Sequence, residues 1–355
     1  MRVAQISDWF APRRGGIESQ LTGLTRALTT AGAVVNVITP QPHAQDDLVP
    51  VHRLHGARLP GLDLAVSPLL VRRTRAALHA IAPDVVHIHA SIVAPACVAG
   101  LIAARQSGLP VVITAHSDLS AMAPLLAFAG RLAGARLSGV ALTAVNARIA
   151  DHLGALVPGS RPLVLPNGFD AGFWMADSAP QAPAKAFRLV SAMRLERKKR
   201  PQVLLSVRDT VARALDHPVE MVVAGTGRRH ARLGDGVTTP GWLDRSGLRA
   251  LYRGAHAFVL PSRHESFGIA ALEARAAGLP VIGRAGNGLS EFIRDGEDGF
   301  LCANDSAMSE AALRLARDPA LWRRLAGPRP ALARYDWAVV AQTHLALYAR
   351  LCSGG

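Results

Sequence analysis

The sequence has few cysteines and no long apolar run. Its three cysteines, Cys97, Cys302 and Cys352, are far apart and form no Cys-x-x-Cys pair, which argues against a disulfide framework and against a zinc ribbon. No segment approaches the roughly 18 consecutive apolar residues of a membrane-spanning helix, and the apolar start of the chain is too short for a signal peptide. We therefore expect a cytoplasmic protein. Peripheral association with the cytoplasmic face of a membrane is compatible with the sequence.

Lysine and acidic residues are also scarce, and arginine carries most of a formal net charge of +14. Between residues 64 and 150 the only acids are Asp84 and Asp118. Such an excess attracts phosphate groups. Aromatic residues make up only 5% of the chain and the arginines are spread over many segments, so no nucleic-acid partner is predicted. The phosphates of a nucleotide or of a lipid headgroup fit this charge better.

What the chain does contain is enough apolar sequence for two cores. Half of its 355 residues are hydrophobic, and a prior of roughly 100–200 residues per domain gives two domains. Short β-branched runs alternate with longer segments of helical period, which is typical of βαβ units and parallel sheets. Strands are predicted at 2–7, 33–39, 84–89, 110–115 and 140–145, and again at 187–193, 219–224, 256–260 and 279–283. The predicted fold class is α/β, with two doubly wound Rossmann-like domains facing a central cleft.

The predicted linker between these domains is a segment rich in alanine and proline, residues 176–186. The N-terminal domain would then cover residues 1–175, and the nucleotide-binding domain would begin at residue 187.

The first segment suited to binding a phosphate contains Gly15 and Gly16. They follow a predicted strand and open a helix that places Ile17, Leu21 and Leu24 on one face. Because glycine has no Cβ, its backbone N–H can approach a ligand closely, and a helix N-terminus favours an anion. An ordinary turn before a helix is the alternative.

The second segment, residues 194–201, follows the strand predicted at 187–193. The guanidinium of Arg194 and the ammonium of Lys199 could neutralise the two phosphates of a diphosphate. A solvated basic turn is the alternative.

The third segment contains Glu265 and Glu273. A strand is predicted to end at Pro261, a loop to carry Glu265, and a helix to begin near Ser266. The two glutamates are eight residues apart, about two helical turns, so both can lie along one side of a helix. Carboxylates beside a helix N-terminus can accept hydrogen bonds from sugar hydroxyls while the N–H groups bind a phosphate.

No metal site is predicted at His87 and His89, which lie on a predicted strand and are expected to face opposite sides of the sheet.

The turn at residues 225–227 has the sequence Gly-Thr-Gly after a strand but lacks the third glycine of a dinucleotide-binding loop, so a dehydrogenase is not favoured. The cations that follow at residues 228–230 could contact a nucleotide or only solvent.

Over nearly its whole length the sequence resembles the family 4 glycosyltransferases, which have the GT-B fold and use nucleotide-sugar donors. The resemblance rests on six motifs in matching order: Gly15-Gly16, Thr114-Ala115-His116-Ser117-Asp118, Pro166-Asn167-Gly168-Phe169-Asp170, Arg194 with Lys199, Glu265 with Glu273, and Gly286-Asn287-Gly288-Leu289-Ser290-Glu291. It implies a nucleotide-sugar-binding domain at 187–335 and a C-terminal helix at 336–355 that crosses back onto the N-terminal domain.

This resemblance also implies a role for each motif residue. Arg194 and Lys199 would bind the donor diphosphate, with help from the Gly15-Gly16 loop. Glu273 would bind the nucleotide ribose, and Glu265 would hold hydroxyls of the transferred sugar. The donor-binding segment would include Ser266, Phe267, Gly268 and Ile269.

His116 would lie beside the sugar and the acceptor at the reaction centre. The acidic residue that usually follows this histidine directly appears one place later, as Asp118, so Asp118 is given no catalytic role.

By the same resemblance, the reaction would be transfer of a hexosyl or N-acetylhexosaminyl group from a UDP- or GDP-sugar with retained anomeric configuration. No carboxylate nucleophile is required in that scheme, unlike in a retaining glycosidase. The chain contains no Asp-x-Asp, so neither a metal nor another cofactor is expected.

The expected acceptor is a lipid-linked or envelope glycan. Residues 7–21 are similar to a segment of the lipid-directed N-acetylglucosaminyltransferase that begins glycosylphosphatidylinositol anchor synthesis. Residues 69–81 are basic on one side and apolar on the other, which fits docking onto an anionic membrane surface and fits core packing equally well. A catalytically silent nucleotide-sugar-binding protein and a nucleotide-sugar epimerase remain the alternatives.

Overall fold

The computed structural model describes residues 1–11, 15–42, 49–59, 64–91, 94–117, 140–178, 180, 182–183, 186–227, 234 and 236–353. They form two compact units, Met1–Gly168 with Arg334–Gly355, and Phe169–Ala333. The predicted linker at 176–186 thus falls within the second unit, where the Ala176 N–H donates a hydrogen bond to the Ala276 carbonyl. The C-terminal segment predicted at 336–355 falls within Arg334–Gly355, which belongs to the first unit.

The first unit contains a seven-stranded parallel sheet. Its strands are β1 (Arg2–Ile6), β2 (Val34–Thr39), β3 (Val51–Arg53), β6 (Val85–Ala90), β7 (Val111–Ala115), β8 (Val140–Ala144) and β9 (Leu163–Val164). Their order is β3-β2-β1-β6-β7-β8-β9. A separate antiparallel pair is formed by β4 (Ala57–Leu59) and β5 (Leu64–Val66).

Helices cover both faces of this sheet. They are α1 (Gly16–Thr30), α2 (Leu70–Ile81), α3 (Pro95–Gln106), α4 (Ala147–Leu156) and α11 (Trp337–Ser353). Successive strand residues point to opposite faces. Ala4 and Ile6 therefore pack with α2 and α3, whereas Val3 and Val85 pack with α1 and α11. The buried positions on both sides explain why these strands are nearly continuous apolar runs.

The second unit contains a six-stranded parallel sheet. Its strands are β10 (Phe187–Ala192), β11 (Val219–Ala224), β12 (Val237–Gly241), β13 (Ala257–Leu260), β14 (Val281–Arg284) and β15 (Gly299–Cys302). Their order is β12-β11-β10-β13-β14-β15. The helices are α5 (Ala171–Trp174), α6 (Gln202–Ala212), α7 (Arg245–Arg253), α8 (Ile269–Ala276), α9 (Asp305–Arg317) and α10 (Pro319–Leu325). With two parallel sheets of Rossmann type, the predicted α/β fold class is confirmed.

The helix predicted to begin near Ser266 is one element that differs from expectation. It begins three residues later, at Ile269, because Gly268 adopts a left-handed backbone conformation with φ of 88°. Such a residue cannot continue a right-handed helix. Glu265 therefore lies in the preceding loop, and the expectation that Glu265 and Glu273 lie along one helix is wrong.

Candidate active site

The site in the second unit is built at the carboxyl edge of its sheet. Strands β10 and β13 are parallel neighbours, so the loops that follow them lie side by side. The loop after β10 carries Arg194 and Lys199, and the loop after β13 carries Glu265. The first loop is held to the end of β11 by two backbone hydrogen bonds, from Met193 to Ala224 and from Leu195 to Thr226.

Lys199 and Glu265 form an ion pair across these two loops. The Lys199 Nζ lies 2.6 Å from the Glu265 Oε2, and the two side chains are only 20% and 14% exposed. An ammonium has three N–H donors, so two stay available after this contact. Lys199 is therefore a fixed cation that can bind a second anion, and Glu265 keeps acceptor positions for hydroxyl groups.

Arg194 is placed differently. Its Nη1 lies 3.4 Å from Glu196 Oε1 and its side chain is 43% exposed. Exposed ion pairs of this kind contribute little to stability, so the guanidinium can exchange Glu196 for another anion at small cost.

The loop that carries Glu265 is held in place by the turn after β14. Gly288 donates its N–H to the Glu265 carbonyl at 2.8 Å, and a Cβ on Gly288 would lie 2.1 Å from the Ser266 carbonyl oxygen. The Asn287 side chain donates to the Ser262 carbonyl at 3.1 Å. The Gly286-Asn287-Gly288 motif thus supports the Glu265 loop, a positioning role that local sequence does not indicate.

Residues 266–269 lead directly into α8. Phe267 is buried, and the left-handed Gly268 forms the N-cap of α8 without any side-chain cap. The first N–H groups of a helix have no partner within it, and they favour an anion. This segment therefore offers backbone donors directly after Glu265, the partner of Lys199.

Glu273 lies in the interior of α8. Burial raises its pKa to about 8, and the positive charge of Arg245 opposes that rise. A carboxyl group with this pKa is largely protonated at neutral pH and can both donate and accept a hydrogen bond. Glu273 can therefore pair with a vicinal diol, such as a ribose, without bringing a full negative charge near a diphosphate.

Arg200 is a residue that the sequence analysis did not single out. Its backbone is left-handed, with φ of 56°, which is unfavourable for a side chain with a Cβ. Its guanidinium donates to both carboxylate oxygens of Asp305, at 2.8 and 2.5 Å. Because Arg200 is next to Lys199, this contact joins the Lys199 loop to the start of α9. The same contact lowers the pKa of Asp305.

Two substitutions at this position separate backbone strain from the ion pair. Arg200→Ala loses the ion pair but keeps the strained backbone, and we expect the free energy of unfolding to fall by about 2 kcal/mol. Arg200→Gly loses the same ion pair but relieves the strain, so it should be about 1 kcal/mol more stable than the alanine variant. Urea denaturation measures both. An alanine variant as stable as the glycine variant would contradict strain at Arg200.

In the first unit, His116 follows β7 and is almost fully buried. Its backbone N–H donates to the Ala90 carbonyl at 2.9 Å, and its Nε2 lies 3.0 Å from Nδ1 of His89. Burial, with a contribution from His344, lowers the pKa of His116 to about 4. The ring is therefore neutral at physiological pH.

The expectation that His87 and His89 face opposite sides of the sheet is wrong. Residues two apart on a strand share a face, and the two ring centroids are 4.0 Å apart. Both ring nitrogens of His87 already have partners, Tyr348 and Thr114. Within the described part of the chain, no three His, Cys, Asp or Glu side chains form a group that could hold a metal ion.

The His87 contacts belong to a hydrogen-bond chain with one consistent direction. Thr143 donates to the Ile113 carbonyl, so Thr114 must donate to Thr143. His87 Nε2 must then donate to Thr114. Burial lowers the pKa of His87 well below the usual value, so the ring is neutral, its one proton lies on Nε2, and Tyr348 donates to His87 Nδ1. The chain holds α11 to the sheet.

Gly15 and Gly16 stand at the start of α1 in the same unit. Gly15 is the N-cap and supplies no side-chain cap. A Cβ on Gly16 would meet no atom within 4 Å, so internal packing does not require glycine there, and the space next to its backbone is open. Residues 12–14, Asp118 and the cations at 228–230 lie outside the described residues.

Comparisons with known proteins agree with this architecture. Residues 14–173 match the family model for Glycosyltransferase Family 4, and residues 175–326 match the model for Glycosyl transferases group 1. The chain is 28% identical to a phosphatidyl-myo-inositol mannosyltransferase of Mycobacterium leprae, over all of this chain and 98% of that protein. It is 30% identical to a D-inositol 3-phosphate glycosyltransferase of Actinosynnema mirum, over 98% of this chain and 91% of that protein.

One solved structure shares the fold over almost the whole chain. HepE of Anabaena, crystallised with UDP and glucose, has a TM-score of 0.75 at 19% identity and covers 99% of this chain and 100% of its own. The two family models together cover most of residues 14–326, and the full-length relatives match across both units. The chain therefore belongs to glycosyltransferase family 4.

Proposed function

We propose that this protein transfers a hexosyl or N-acetylhexosaminyl group from a UDP- or GDP-sugar to a hydroxyl of a lipid-linked or envelope glycan, with retention of anomeric configuration. The observation that carries the proposal is the partly buried Lys199–Glu265 pair beside the uncapped start of α8. It combines a fixed cation, backbone donors and a carboxylate, which are the groups that a sugar diphosphate requires.

The proposed chemistry follows from these groups. The bond from the anomeric carbon to the acceptor oxygen forms as the bond to the diphosphate oxygen breaks, and the departing oxygen would accept the proton of the acceptor hydroxyl. Negative charge grows on the diphosphate in this step, and a preorganised cation stabilises that charge more in the transition state than in the ground state. Lys199 would provide this stabilisation, with Arg194 as the second cation and the Gly15-Gly16 backbone as a further donor. Glu265 would accept hydrogen bonds from hydroxyls of the transferred sugar.

Glu273 is proposed to bind the ribose as a largely protonated carboxyl, and His116 to contact the sugar and the acceptor as a neutral imidazole. Because Lys199, Arg194 and backbone N–H groups supply the positive charge, we propose a reaction that needs no metal ion. Transfer that is unchanged by a chelator would support this part of the proposal, and transfer that is abolished would refute it.

The proposed acceptor class is supported by a relative. A protein that matches the chain along its whole length is named as a phosphatidyl-myo-inositol mannosyltransferase, which indicates a lipid acceptor in that protein. A purified enzyme that transferred sugar to soluble glycans and ignored lipid-linked ones would contradict a lipid-linked acceptor here.

Nucleotide binding provides the first test. In a thermal-shift titration with UDP, GDP and ADP, we expect one nucleotide to raise the melting temperature by several degrees. A ligand at about 100 times its Kd adds roughly 2.7 kcal/mol to the folded state. If no nucleotide shifts the folded protein, the donor-binding proposal is refuted. If the donor is isomerised without transfer to an acceptor, the protein is an epimerase instead.

Membrane docking is a separate part of the proposal. The apolar face of α2 is buried in the core of the first unit, including Leu78 and Ile81, so only its basic face is available. Arg72 and Arg75 are exposed on that face, and Val98 on neighbouring α3 is 60% exposed. Among the described residues, no helix is both long enough and apolar enough to span a bilayer.

We expect sedimentation with anionic phospholipid vesicles at low salt, and loss of binding at raised salt, because the attraction is electrostatic. The double variant Arg72→Glu with Arg75→Glu should bind only weakly at low salt. Equal binding of wild type and variant would show that this face does not dock.

A further inference from the structure

A second buried histidine, His89, lies next to His116 in the first unit. His89 is the second-last residue of β6, His116 directly follows β7, and the two strands are paired in register. The ring centroids are 5.2 Å apart, and the only hydrogen bond between the rings joins His89 Nδ1 to His116 Nε2 at 3.0 Å.

Both imidazoles are neutral at physiological pH, because burial lowers the pKa of each. A hydrogen bond between two neutral imidazoles uses one proton, so one ring donates and the other accepts. The tautomer of His89 therefore dictates the tautomer of His116.

The surroundings of His89 Nε2 favour one of the two neutral tautomers of His89. His89 Nε2 is buried and has no hydrogen-bond partner among the described residues. Buried N–H donors without a partner are rarer than unpaired acceptors, so the proton is expected on Nδ1. The cavity next to His89 and His116 is only about 20 Å³, room for about one water.

His116 makes no hydrogen bond through Nδ1 within the described part of the chain, and 9% of the residue is exposed. If His89 Nδ1–H donates to His116 Nε2, the single proton of His116 must lie on Nδ1. We propose that His89 is a positioning residue that holds His116 as its Nδ1–H tautomer, so that His116 acts as a hydrogen-bond donor toward an oxygen of the bound sugar or acceptor.

The role of His116 as a hydrogen-bond donor to the sugar or the acceptor rests on the proposed glycosyl transfer. The assignment of its tautomer does not. Long-range ¹H–¹⁵N NMR of histidine-labelled wild-type protein reports the tautomer directly, with assignment by single substitution. We expect protonated Nδ1 and unprotonated Nε2 for both His89 and His116. A protonated Nε2 on His116 would overturn the proposal, whatever the outcome of any activity assay.

Two variants test the consequence for transfer. In His89→Asn the side-chain amide can replace the Nδ1–H donor, so kcat should stay within about threefold of wild type. In His89→Leu the donor is lost, and we expect a 10–100-fold fall in kcat with the donor KM changed less than twofold, together with loss of the single His116 tautomer in NMR.

His344→Leu serves as the matched control. His344 lines the same cavity and is equally buried, but its Nδ1 bonds to Val340 of its own helix, so kcat should change little. Equal losses in the asparagine and leucine variants, or a loss confined to KM, would refute positioning by His89. Absence of transfer by the wild-type enzyme would refute the proposed function and leave the NMR test of the tautomer intact.

Discussion

Lys199→Ala is expected to lower kcat/KM by about 100–1,000-fold, the range found when one preorganised group that stabilises developing negative charge is removed. The loss should be accompanied by weaker binding of the nucleoside diphosphate itself, because Lys199 is partly buried and uses one of its three N–H donors on Glu265 among the described residues. Steady-state kinetics and thermal-shift titration with the nucleotide measure the two effects.

Lys198→Ala is the matched control. Lys198 is the preceding residue and also an ammonium, but its side chain is 65% exposed and its nearest carboxylate, on Glu196, is 3.6 Å away. We expect kcat/KM within about twofold of wild type for this variant. Equal losses at both positions would show that overall positive charge matters and that the buried cation does not.

A double variant separates two causes of the loss at Lys199. Removing Lys199 also leaves the Glu265 carboxylate unpaired, and that carboxylate would repel a diphosphate. In Lys199→Ala with Glu265→Gln the repulsion is absent. If the ammonium itself binds the diphosphate, nucleotide affinity stays low in the double variant, whereas recovery to the wild-type value would assign the loss to Glu265.

The first unit is expected to lose stability steeply as the pH falls below about 6.5. Four histidines in this unit are buried and have lowered pKa values: His87, His89, His116 and His344. In the unfolded chain they bind protons near pH 6.5, whereas in the folded unit His116 and His344 do so only near pH 4. The unfolded state therefore binds more protons in this window, and acid favours unfolding.

The expected magnitude follows from the number of protons. Each histidine lowers the free energy of unfolding by about 1.4 kcal/mol per pH unit once the unfolded chain is protonated. Four of them give on the order of 5 kcal/mol per pH unit below about pH 5.5. By about pH 4 the loss is on the order of 10 kcal/mol, which is comparable with total stabilities of about 5–15 kcal/mol, so the unit should unfold as the pH approaches 4.

The stability of the second unit should change with pH in the opposite sense near neutral pH. Burial raises the pKa of Glu273 to about 8, so the folded unit binds the extra proton. Its contribution to stability is complete below about pH 4.5 and is lost as the pH rises through 8. Calorimetry between pH 8 and 5 should therefore show one transition moving down with acidification while a second does not.

His344→Leu should lower the slope of the acid-sensitive transition by about one quarter, because one of four titrating groups is removed. His79→Gln, at an exposed position on α2, should leave the slope unchanged. An unchanged slope in His344→Leu would contradict the assignment of acid sensitivity to the buried histidines.

Much of the architecture follows from the sequence alone. Strands such as those at 85–90 and 219–224 can be located from the local sequence, because a parallel strand buried on both faces needs a short continuous apolar run. The edge strands β12 and β15 were not predicted. β12 contains Thr238, Thr239 and Pro240, and β15 begins with Gly299, so neither resembles such a run, and pairing with β11 and β14 decides their conformation.

The motif residues were likewise visible in the sequence, but their contacts and protonation states were not. Lys199 meets Glu265 across 66 positions of sequence, and Arg200 meets Asp305 across 105, because parallel strands bring the loops at their carboxyl ends together. Burial raises the pKa of Glu273 and lowers that of His116, and burial is a property of the packed unit. The sequence by itself therefore determined the inner strands of both sheets, the helix that begins at Gly16 and the kinds of group in the site. Only the tertiary structure decided which groups pair and which carry charge, since both depend on distance and solvent exclusion between segments far apart in the chain.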